Sequence, residues 1–244
     1  MREEAEANPD QKFAIVDDAT CADLDNVTCL MFEQAQASYL VGYVAGLTTK
    51  SNTIGFVLGM STGVMNQFGY GYCAGALDAN PDVKILQNNA NSFGDTAAGK
   101  TAANNMIADG ADVIFHAAGA TGLGVIDACK EAGIWAIGVD SDQSGIIGED
   151  ITVTSAMKGL ADATKWAIAK VYDGTWSEIG GKATSLGVNE NAVGLPTATW
   201  SMTNYTVEEY EELFQKVVSG ELTIDADYEA NLEQDWSNLT LNII

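Results

Sequence analysis

Hydrophobic and polar residues alternate along the chain in blocks that predict strands followed by helices. Short apolar runs typical of buried strands lie at residues 12–16, 54–58, 83–87, 113–117, 135–139 and 151–155, with another near 183–188. Apolar residues at helical spacing predict helices at 33–47, 64–77, 96–108, 124–132, 158–172 and 207–218. Strands that alternate with helices of this length form right-handed βαβ units. The sequence therefore predicts an α/β fold with a doubly wound parallel sheet.

The predicted elements are unevenly distributed along the chain. Residues 53–188 supply enough strands and helices for one complete lobe, whereas the two ends supply one strand and two helices. Thr206 and Gly220 fit as the N-cap and the C-terminal glycine of the last helix. A lone strand with two helices cannot bury its own apolar surface. We expect the ends to pack onto the central lobe or to belong to a second, incomplete lobe.

Polar residues follow two of the apolar strands directly. Gly119-Ala120-Thr121-Gly122 follows the strand at 113–117, and Asp140-Ser141-Asp142 follows the strand at 135–139. Open parallel sheets bind ligands at the carboxyl ends of their strands. The sequence therefore predicts the rim of a small-molecule cleft at these two points.

Charge and composition exclude several classes of function. The chain has 11 Lys and Arg residues against 34 Asp and Glu residues, which gives a net charge of −23 and argues against a nucleic-acid partner. Four cysteines without CxxC spacing and a single histidine, His116, argue against a metal site, and no cofactor is expected. No apolar run reaches the length of a membrane span, and the first seven residues do not resemble a signal peptide.

One segment matches a nucleotide-binding pattern. Residues 94–101, from Gly94 to Thr101, fit G-x-x-x-x-G-K-[ST], the phosphate-binding loop of nucleotide hydrolases. However, six residues separate the preceding strand from Gly94, and Asp95 can cap a helix that begins at once. We therefore favour an ordinary helix that carries Lys100 and Thr101 on its surface, and keep a nucleotide hydrolase as an alternative.

Six segments occur together in the order found in one protein family. They are Phe13-Ala14-Ile15-Val16-Asp17, Gly55-Phe56-Val57-Leu58-Gly59-Met60, Ser92-Phe93-Gly94-Asp95, Ala118-Gly119-Ala120-Thr121-Gly122-Leu123-Gly124-Val125, Gly138-Val139-Asp140-Ser141-Asp142-Gln143 and Thr154-Ser155-Ala156-Met157-Lys158. The set closely resembles the basic membrane protein family, whose best-understood members are purine nucleoside receptor lipoproteins of bacterial ABC transporters. The chain departs from the family at Ala120, usually a glycine, and at residues 189–192, usually rich in glycine.

The resemblance implies a fold like that of type I periplasmic binding proteins. It assigns residues 49–194 to the C-terminal lobe, and residues 1–48 and 195–244 to a remnant of the N-terminal lobe, because the family's N-terminal part has no counterpart here. It implies a solute-binding component of an ABC importer, not an enzyme, that captures a purine nucleoside in an interlobe cleft. Nucleoside affinity is then expected to be weaker than in a full-length relative.

The resemblance also implies partners and a location. The partners are the nucleoside and the transporter permease. Because the family's N-terminal part has no counterpart here, we expect the helices at 37–47 and 207–218 to leave apolar surface uncovered. The chain should then either form a homodimer through these helices or have a mobile remnant lobe. The expected location is extracytoplasmic, with a lipoprotein anchor in the full-length form. Related ligands, namely a flavin, a pyrimidine nucleoside or a sugar, stay open, as does an effector-sensing module of an intracellular regulator.

Five residues are candidates for contact with the ligand. Asp140, at a strand end, can accept hydrogen bonds from the two hydroxyls of a ribose, although it can also cap the next turn. The resemblance assigns Lys158 to the ribose as well, with a solvated lysine as the alternative. Asp17, which ends the first strand, can accept a hydrogen bond from an amino or imino group of the base.

The other two candidates are Phe115 and Gly119. Phe115 can stack on a purine, but its position inside a strand makes core packing at least as good an interpretation. His116 points to the opposite face of the same strand and has no visible partner for catalysis. Gly119 lets the backbone approach the ligand, and it also fits a tight turn.

Overall fold

The protein is represented by a computed structural model, which describes residues 1–226. The strands are β1 (Phe13–Val16), β2 (Val27–Phe32), β3 (Thr53–Leu58), β4 (Lys84–Asn89), β5 (Val113–Ala117), β6 (Trp135–Asp140), β7 (Thr152–Lys158), β8 (Lys182–Leu186) and β9 (Val193–Gly194). The helices are α1 (Arg2–Ala7), α2 (Gln34–Thr48), α3 (Gly63–Ala79), α4 (Thr96–Ala108), α5 (Thr121–Ala132), α6 (Ser144–Ile147), α7 (Leu160–Tyr172) and α8 (Val207–Ser219). This alternation confirms the predicted α/β class.

The strands form two sheets, in which β1 to β8 pair in parallel. One sheet has the order β1-β2-β8, and the other has the order β4-β3-β5-β6-β7-β9. The chain divides into two compact units. The first unit consists of Met1–Glu33 and Lys158–Val193, and the second of Gln34–Met157 and the described residues from Gly194 onward. The division differs from the boundaries predicted from sequence, because α2 packs on α3 in the second unit and α7 belongs with β8 in the first.

The first unit is built on the three-stranded sheet. Strand β2 lies at its centre, and the sequence-based expectation of a single strand in this region is wrong. The run Val27–Phe32 is almost wholly apolar and buried, as expected for the central strand of a parallel sheet. Asn26 holds the preceding segment in place, because its side-chain amide donates to the carbonyl oxygens of Ala5, Asn8 and Gln11.

The second unit is built on the six-stranded sheet, in which β3 and β5 are buried along their whole length. Glycines allow α2 and α3 to cross closely: a Cβ on Gly42 would lie 2.1 Å from the carbonyl oxygen of Tyr72, and one on Gly75 2.0 Å from that of Tyr39. Eleven residues of α2 are buried. The expectation that α2 leaves apolar surface uncovered is therefore wrong.

Helix α8 begins and ends where the sequence predicts. The Thr206 hydroxyl accepts the N–H of Glu209 while the Glu209 carboxylate accepts the N–H of Thr206, which forms a capping box. Gly220 ends the helix with a φ of +75°. Tyr210 is buried and packs against Trp200 and Phe214 with tilted rings, so the apolar face of α8 is covered within the second unit.

Three observations concern residues 1–226 only. None of the helices there has the length and apolar character needed to cross a membrane. No cluster of His, Cys, Asp and Glu side chains suitable for a metal ion was found among them. The four cysteines are buried as free thiols.

Candidate functional site

Gly119 and Asp140 lie at the carboxyl edge of the six-stranded sheet: Gly119 follows β5, and Asp140 is the last residue of the neighbouring strand β6. Gly119 is exposed and has a φ of +56°, a conformation that favours glycine. Asp140 is half-buried and has a φ of +65°, which is uncommon for a residue with a side chain. Ligands of open parallel sheets bind at this edge. Both residues therefore lie where the sequence predicts.

The backbone turns sharply at Asp140. The N–H of Ser141 donates to the carbonyl oxygen of Val139 at 2.8 Å, so Asp140 is the central residue of a γ-turn. A positive φ in a non-glycine residue costs free energy and is found preferentially at functional sites. The backbone therefore turns away from β6 at Asp140, and the Asp140 carboxylate lies at the end of this strand.

Asp142 has a structural role in the same loop. Its carboxylate accepts the N–H of Ser144 at 3.0 Å and the hydroxyl of Thr199 at 2.7 Å. Partial burial acts to raise the pKa of Asp142, but these hydrogen bonds outweigh it, and the pKa is lowered. Asp142 thus holds the start of α6, whereas Asp140 occupies the turn.

Phe93 is an additional site candidate that the sequence prediction missed. Its side chain is 40% exposed, although its backbone is firmly held: the carbonyl oxygen of Phe93 accepts the N–H of Thr121 at 3.2 Å. A Cβ on Gly59 would lie 2.4 Å from the Phe93 ring, and one on Gly119 would lie 3.1 Å from the Phe93 carbonyl oxygen. The ring therefore rests against glycine backbone at the carboxyl edge. The signal in the sequence was a lone Phe in a polar loop.

Phe115 lies in the core of the second unit. Its side chain is 0% exposed, and its ring centroid lies 5.2 Å from that of Phe56 and 5.3 Å from that of Tyr72. This packing matches the alternative interpretation of Phe115. The exposed aromatic surface at this edge of the sheet belongs to Phe93.

His116 is buried on the other face of β5. A Cβ on Gly122 would lie 2.1 Å from the Nδ1 atom of His116, so the ring packs directly on the first turn of α5. Burial lowers the pKa of His116 to about 4, against a smaller opposing effect of the Gln143 side chain. The imidazole is therefore neutral at pH 7 and packs as a core side chain.

Lys158 and Asp17 form an ion pair in the first unit. The Nζ atom of Lys158 lies 2.5 Å from the Oδ2 atom of Asp17, and the two side chains are 3% and 30% exposed. The Lys158 ammonium also lies 5.0 Å from the centroid of the Phe32 ring. A buried ammonium is costly without a partner, and the Asp17 carboxylate supplies one.

Asp17 shares its backbone conformation with Asp140. It follows β1 with a φ of +59°, and its second carboxylate oxygen, Oδ1, is buried without a hydrogen-bond partner. Asp18 accepts the N–H of Thr20, as expected for a turn residue, and hydrogen bonds from Thr20 lower its pKa. The structure thus brings Asp17 and Lys158 together in the first unit, while Gly119, Asp140 and Phe93 lie in the second.

Residues 94–101, which match the nucleotide-binding pattern and are called the Walker-like segment below, do not form a phosphate-binding loop. Helix α4 begins at Thr96, inside the four residues that would wrap a phosphate, and Asp95 caps it by accepting the N–H of Ala98. A Cβ on Gly99 would lie 2.0 Å from the carbonyl oxygen of Thr121. Gly99 therefore serves the close packing of α4 on α5, and Lys100 forms an exposed ion pair with Glu131 at 2.6 Å.

Comparisons with known families and proteins place the chain in a family. A family model described as "ABC transporter substrate-binding protein PnrA-like" matches residues 1–228. The CD4+ T-cell-stimulating antigen of Listeria monocytogenes is 37% identical over 92% of this chain and 66% of its own length. Basic membrane protein B of Borreliella burgdorferi is 34% identical over 91% of this chain and 64% of its own length. The chain thus spans slightly less than two thirds of these relatives.

A solved structure supports the fold assignment. The structure of an ABC transporter solute-binding protein from Aeropyrum pernix K1 superposes with a TM-score of 0.76 at 27% identity, and the match covers 93% of this chain and 74% of that one. The predicted architecture, that of type I periplasmic binding proteins, is confirmed.

Proposed function

We propose, because this chain belongs to the PnrA-like family of ABC transporter substrate-binding proteins, that it binds a purine nucleoside for delivery to an importer. The family is one of binding proteins, not of enzymes. The observation that carries the proposal is the strained Asp140 at a strand end of a parallel sheet, with the exposed Phe93 and Gly119 along the same edge.

The chemistry of these residues suits a nucleoside. A carboxylate can accept hydrogen bonds from both hydroxyls of a ribose, and charge-assisted bonds of this type are stronger than neutral ones. An exposed aromatic ring offers a stacking surface to a base, while exposed glycine backbone permits close approach. We assign Asp140 to the ribose, Phe93 to the base and Gly119 to close backbone contact, with Phe115 supporting β5 from the core.

The ion pair of the first unit supplies two further candidates for contact with a nucleoside. The Oδ1 atom of Asp17 can accept a hydrogen bond from an amino or imino group of a base. Lys158 can donate to a ribose oxygen while it stays paired with Asp17. These two assignments stay predictions.

A ligand screen tests the proposal. Thermal unfolding is followed with inosine, adenosine, guanosine, uridine, riboflavin, ribose and ATP, each up to millimolar concentration because the affinity can be low. A ligand at 100 times its Kd stabilises a protein by about 2.7 kcal/mol. We expect purine nucleosides to raise Tm more than the other compounds. A rise with riboflavin, uridine or ribose alone would transfer the proposal to that ligand class, and a rise with none would refute it.

We further propose that the partner is the permease of an ABC importer and that the location is extracytoplasmic, with a lipoprotein anchor. The family assignment supports both. Co-purification with the transporter from detergent-solubilised membranes and labelling of the native protein with a radioactive fatty acid test them. If the protein neither co-purifies with the transporter nor incorporates the fatty acid, the proposed partner and the proposed lipoprotein anchor are contradicted.

A homodimer stays a prediction, but the surface predicted for it is covered. Helices α2 and α8 pack within the second unit, whereas Ile168, Val171 and Tyr172 on α7 are exposed. Sedimentation equilibrium measures the oligomeric state of the chain and of a Val171→Lys variant, in which a charge replaces one of the exposed apolar side chains of α7. A monomer at micromolar concentration would refute the homodimer.

A further inference from the structure

Gln143 connects three elements at the carboxyl edge of the six-stranded sheet. Its Oε1 atom accepts the N–H of Val139, the penultimate residue of β6, at 2.9 Å. Its own backbone N–H donates to the hydroxyl of Ser155 on β7 at 3.1 Å. Its carbonyl oxygen accepts the N–H of Ile147 at 2.8 Å in the first turn of α6. One residue thus uses its side chain, its N–H and its carbonyl oxygen to hold separate segments.

The strand is shaped to admit this arrangement. Gly138 of β6 pairs with Ser155 of β7, and a Cβ on Gly138 would lie 2.6 Å from the Ser155 hydroxyl and 2.7 Å from the Gln143 Oε1 atom. Any larger residue at Gly138 would push the Gln143 side chain away. Ser155 is fully buried, so the anchor on β7 is fixed by the core.

These bonds enclose Asp140. The side chain of Gln143 is bonded to the residue before Asp140, and the backbone of Gln143 is bonded to the neighbouring strand. Residues 140–142, which lie between Val139 and Gln143, must therefore close a short loop. This loop contains the γ-turn from Val139 to Ser141. A φ of +65° at Asp140 persists only because the surrounding contacts impose it.

We propose that Gln143 is a positioning residue that holds Asp140 in its left-handed conformation, so that the carboxylate is preorganised for the ribose. The inference rests on the proposed function, because it assumes that Asp140 contacts the ligand. Gln143 itself acts through the backbone on either side of Asp140. An oxygen acceptor at the position of Oε1 is the chemical requirement.

Three variants separate positioning from general stability. Gln143→Ala removes the acceptor for the Val139 N–H, and Gln143→Glu keeps an oxygen at the same distance along the side chain. Thr152→Val is the matched control, because it also removes a buried side-chain hydrogen bond. In this bond the Thr152 hydroxyl donates to the Gly148 carbonyl oxygen at 2.7 Å, at the N-terminal end of β7.

The first measurement needs no ligand. Hydrogen exchange of the Val139 amide is followed by NMR in each variant. We expect exchange at least tenfold faster in Gln143→Ala, and near the wild-type rate in Gln143→Glu and Thr152→Val. An unchanged rate in Gln143→Ala would overturn the proposal.

The second measurement is the affinity for inosine at pH 7. We expect Gln143→Ala to weaken binding about tenfold, Gln143→Glu to retain affinity within about threefold, and Thr152→Val to match the wild type. In an Asp140→Gly background, which has neither carboxylate nor strain, Gln143→Ala should weaken binding no further. The same tenfold loss in that background would overturn the positioning role. If the wild type binds no nucleoside, the proposed function fails, and the exchange rates alone decide whether Gln143 holds the turn.

Discussion

The Nζ atom of Lys158 lies 2.5 Å from the Oδ2 atom of Asp17, although the two residues are 141 positions apart in the sequence. The lysine ends β7 and the aspartate follows β1, so the pair forms only when both segments of the first unit are folded. Since Lys158 is almost fully buried and Asp17 is partly exposed, the two partners are not equivalent. Loss of the carboxylate leaves a buried cation, whereas loss of the ammonium leaves a carboxylate that water can reach.

Asp17→Asn should therefore destabilise the chain more than Lys158→Met. We expect a loss of about 2–3 kcal/mol for Asp17→Asn, because breaking a charged bond to a buried ion is costly, and about 1 kcal/mol for Lys158→Met. Asparagine tolerates a positive φ, so the backbone of residue 17 is preserved. Urea unfolding measures both, and the double variant should be more stable than Asp17→Asn alone. Equal effects of the two single variants would contradict the asymmetry.

Asp140→Asn should weaken nucleoside binding while it keeps the positive φ at this position, which asparagine tolerates. The charge-assisted bonds to a ribose contribute about 1.5–3 kcal/mol, or about ten- to a hundredfold in affinity. Calorimetric titration with inosine and 2′-deoxyinosine checks this. The wild type should prefer inosine, and the variant should bind both compounds equally. An undiminished preference for inosine in the variant would show that Asp140 does not contact the ribose.

Phe93→Leu should weaken the binding of purine nucleosides, whereas Phe93→Trp should retain it. Stacking of a base on an aromatic ring contributes about 1–3 kcal/mol, and leucine keeps apolar volume but offers no ring face. Leu123→Ala is the control, because Leu123 is 41% exposed in the first turn of α5. Equal inosine affinity of the wild type and Phe93→Leu would remove Phe93 from the site.

The Walker-like segment gives a contrast between neighbouring residues. Lys100→Ala should leave the free energy of unfolding almost unchanged, since its ion pair with Glu131 is exposed. Gly99→Ala should be destabilising by about 1–3 kcal/mol, although alanine normally favours a helix, because its Cβ meets the backbone of Thr121. Thermal unfolding compares the two variants. A stabilised Gly99→Ala variant would mean that α4 and α5 are not in close contact.

Local patterns in the sequence predict most of the fold but not the division into units. Thr206 and Gly220 mark the ends of α8 because capping depends on neighbouring residues alone. Strand β2 was missed because a short apolar run is ambiguous when flanked by polar turns. The assignment of α2 to the second unit depends on the glycines of α3, such as Gly75, which contact it only after folding.

The candidate site was predictable only where position along a strand is sufficient. Gly119 and Asp140 follow from strand ends, because the carboxyl ends of the parallel strands in one sheet share one edge. The position of Asp17 follows in the same way from the end of β1 in the other sheet. Phe115 could not be assigned to the core or to the ligand, since alternation in a strand does not say which of its faces is covered by side chains of the helices. Phe93 was missed because it lies in the loop between β4 and α4, where no periodic pattern applies. The Lys158–Asp17 bond joins distant segments, and no local pattern records it.

His116 should make the chain less stable in acid. Its pKa is about 4 in the folded state, because of burial, against about 6.5 in an unfolded chain. Below pH 6.5, His116 therefore binds a proton in the unfolded chain but stays neutral in the folded chain. The stability that depends on the neutral imidazole is lost as the pH falls towards 4. The difference corresponds to about 3 kcal/mol. Urea unfolding of the wild type and His116→Gln between pH 7 and 4 isolates this effect, since the carboxylates are common to both. We expect the two stability curves to converge as the pH falls, and parallel curves would show that His116 accepts its proton in the folded chain.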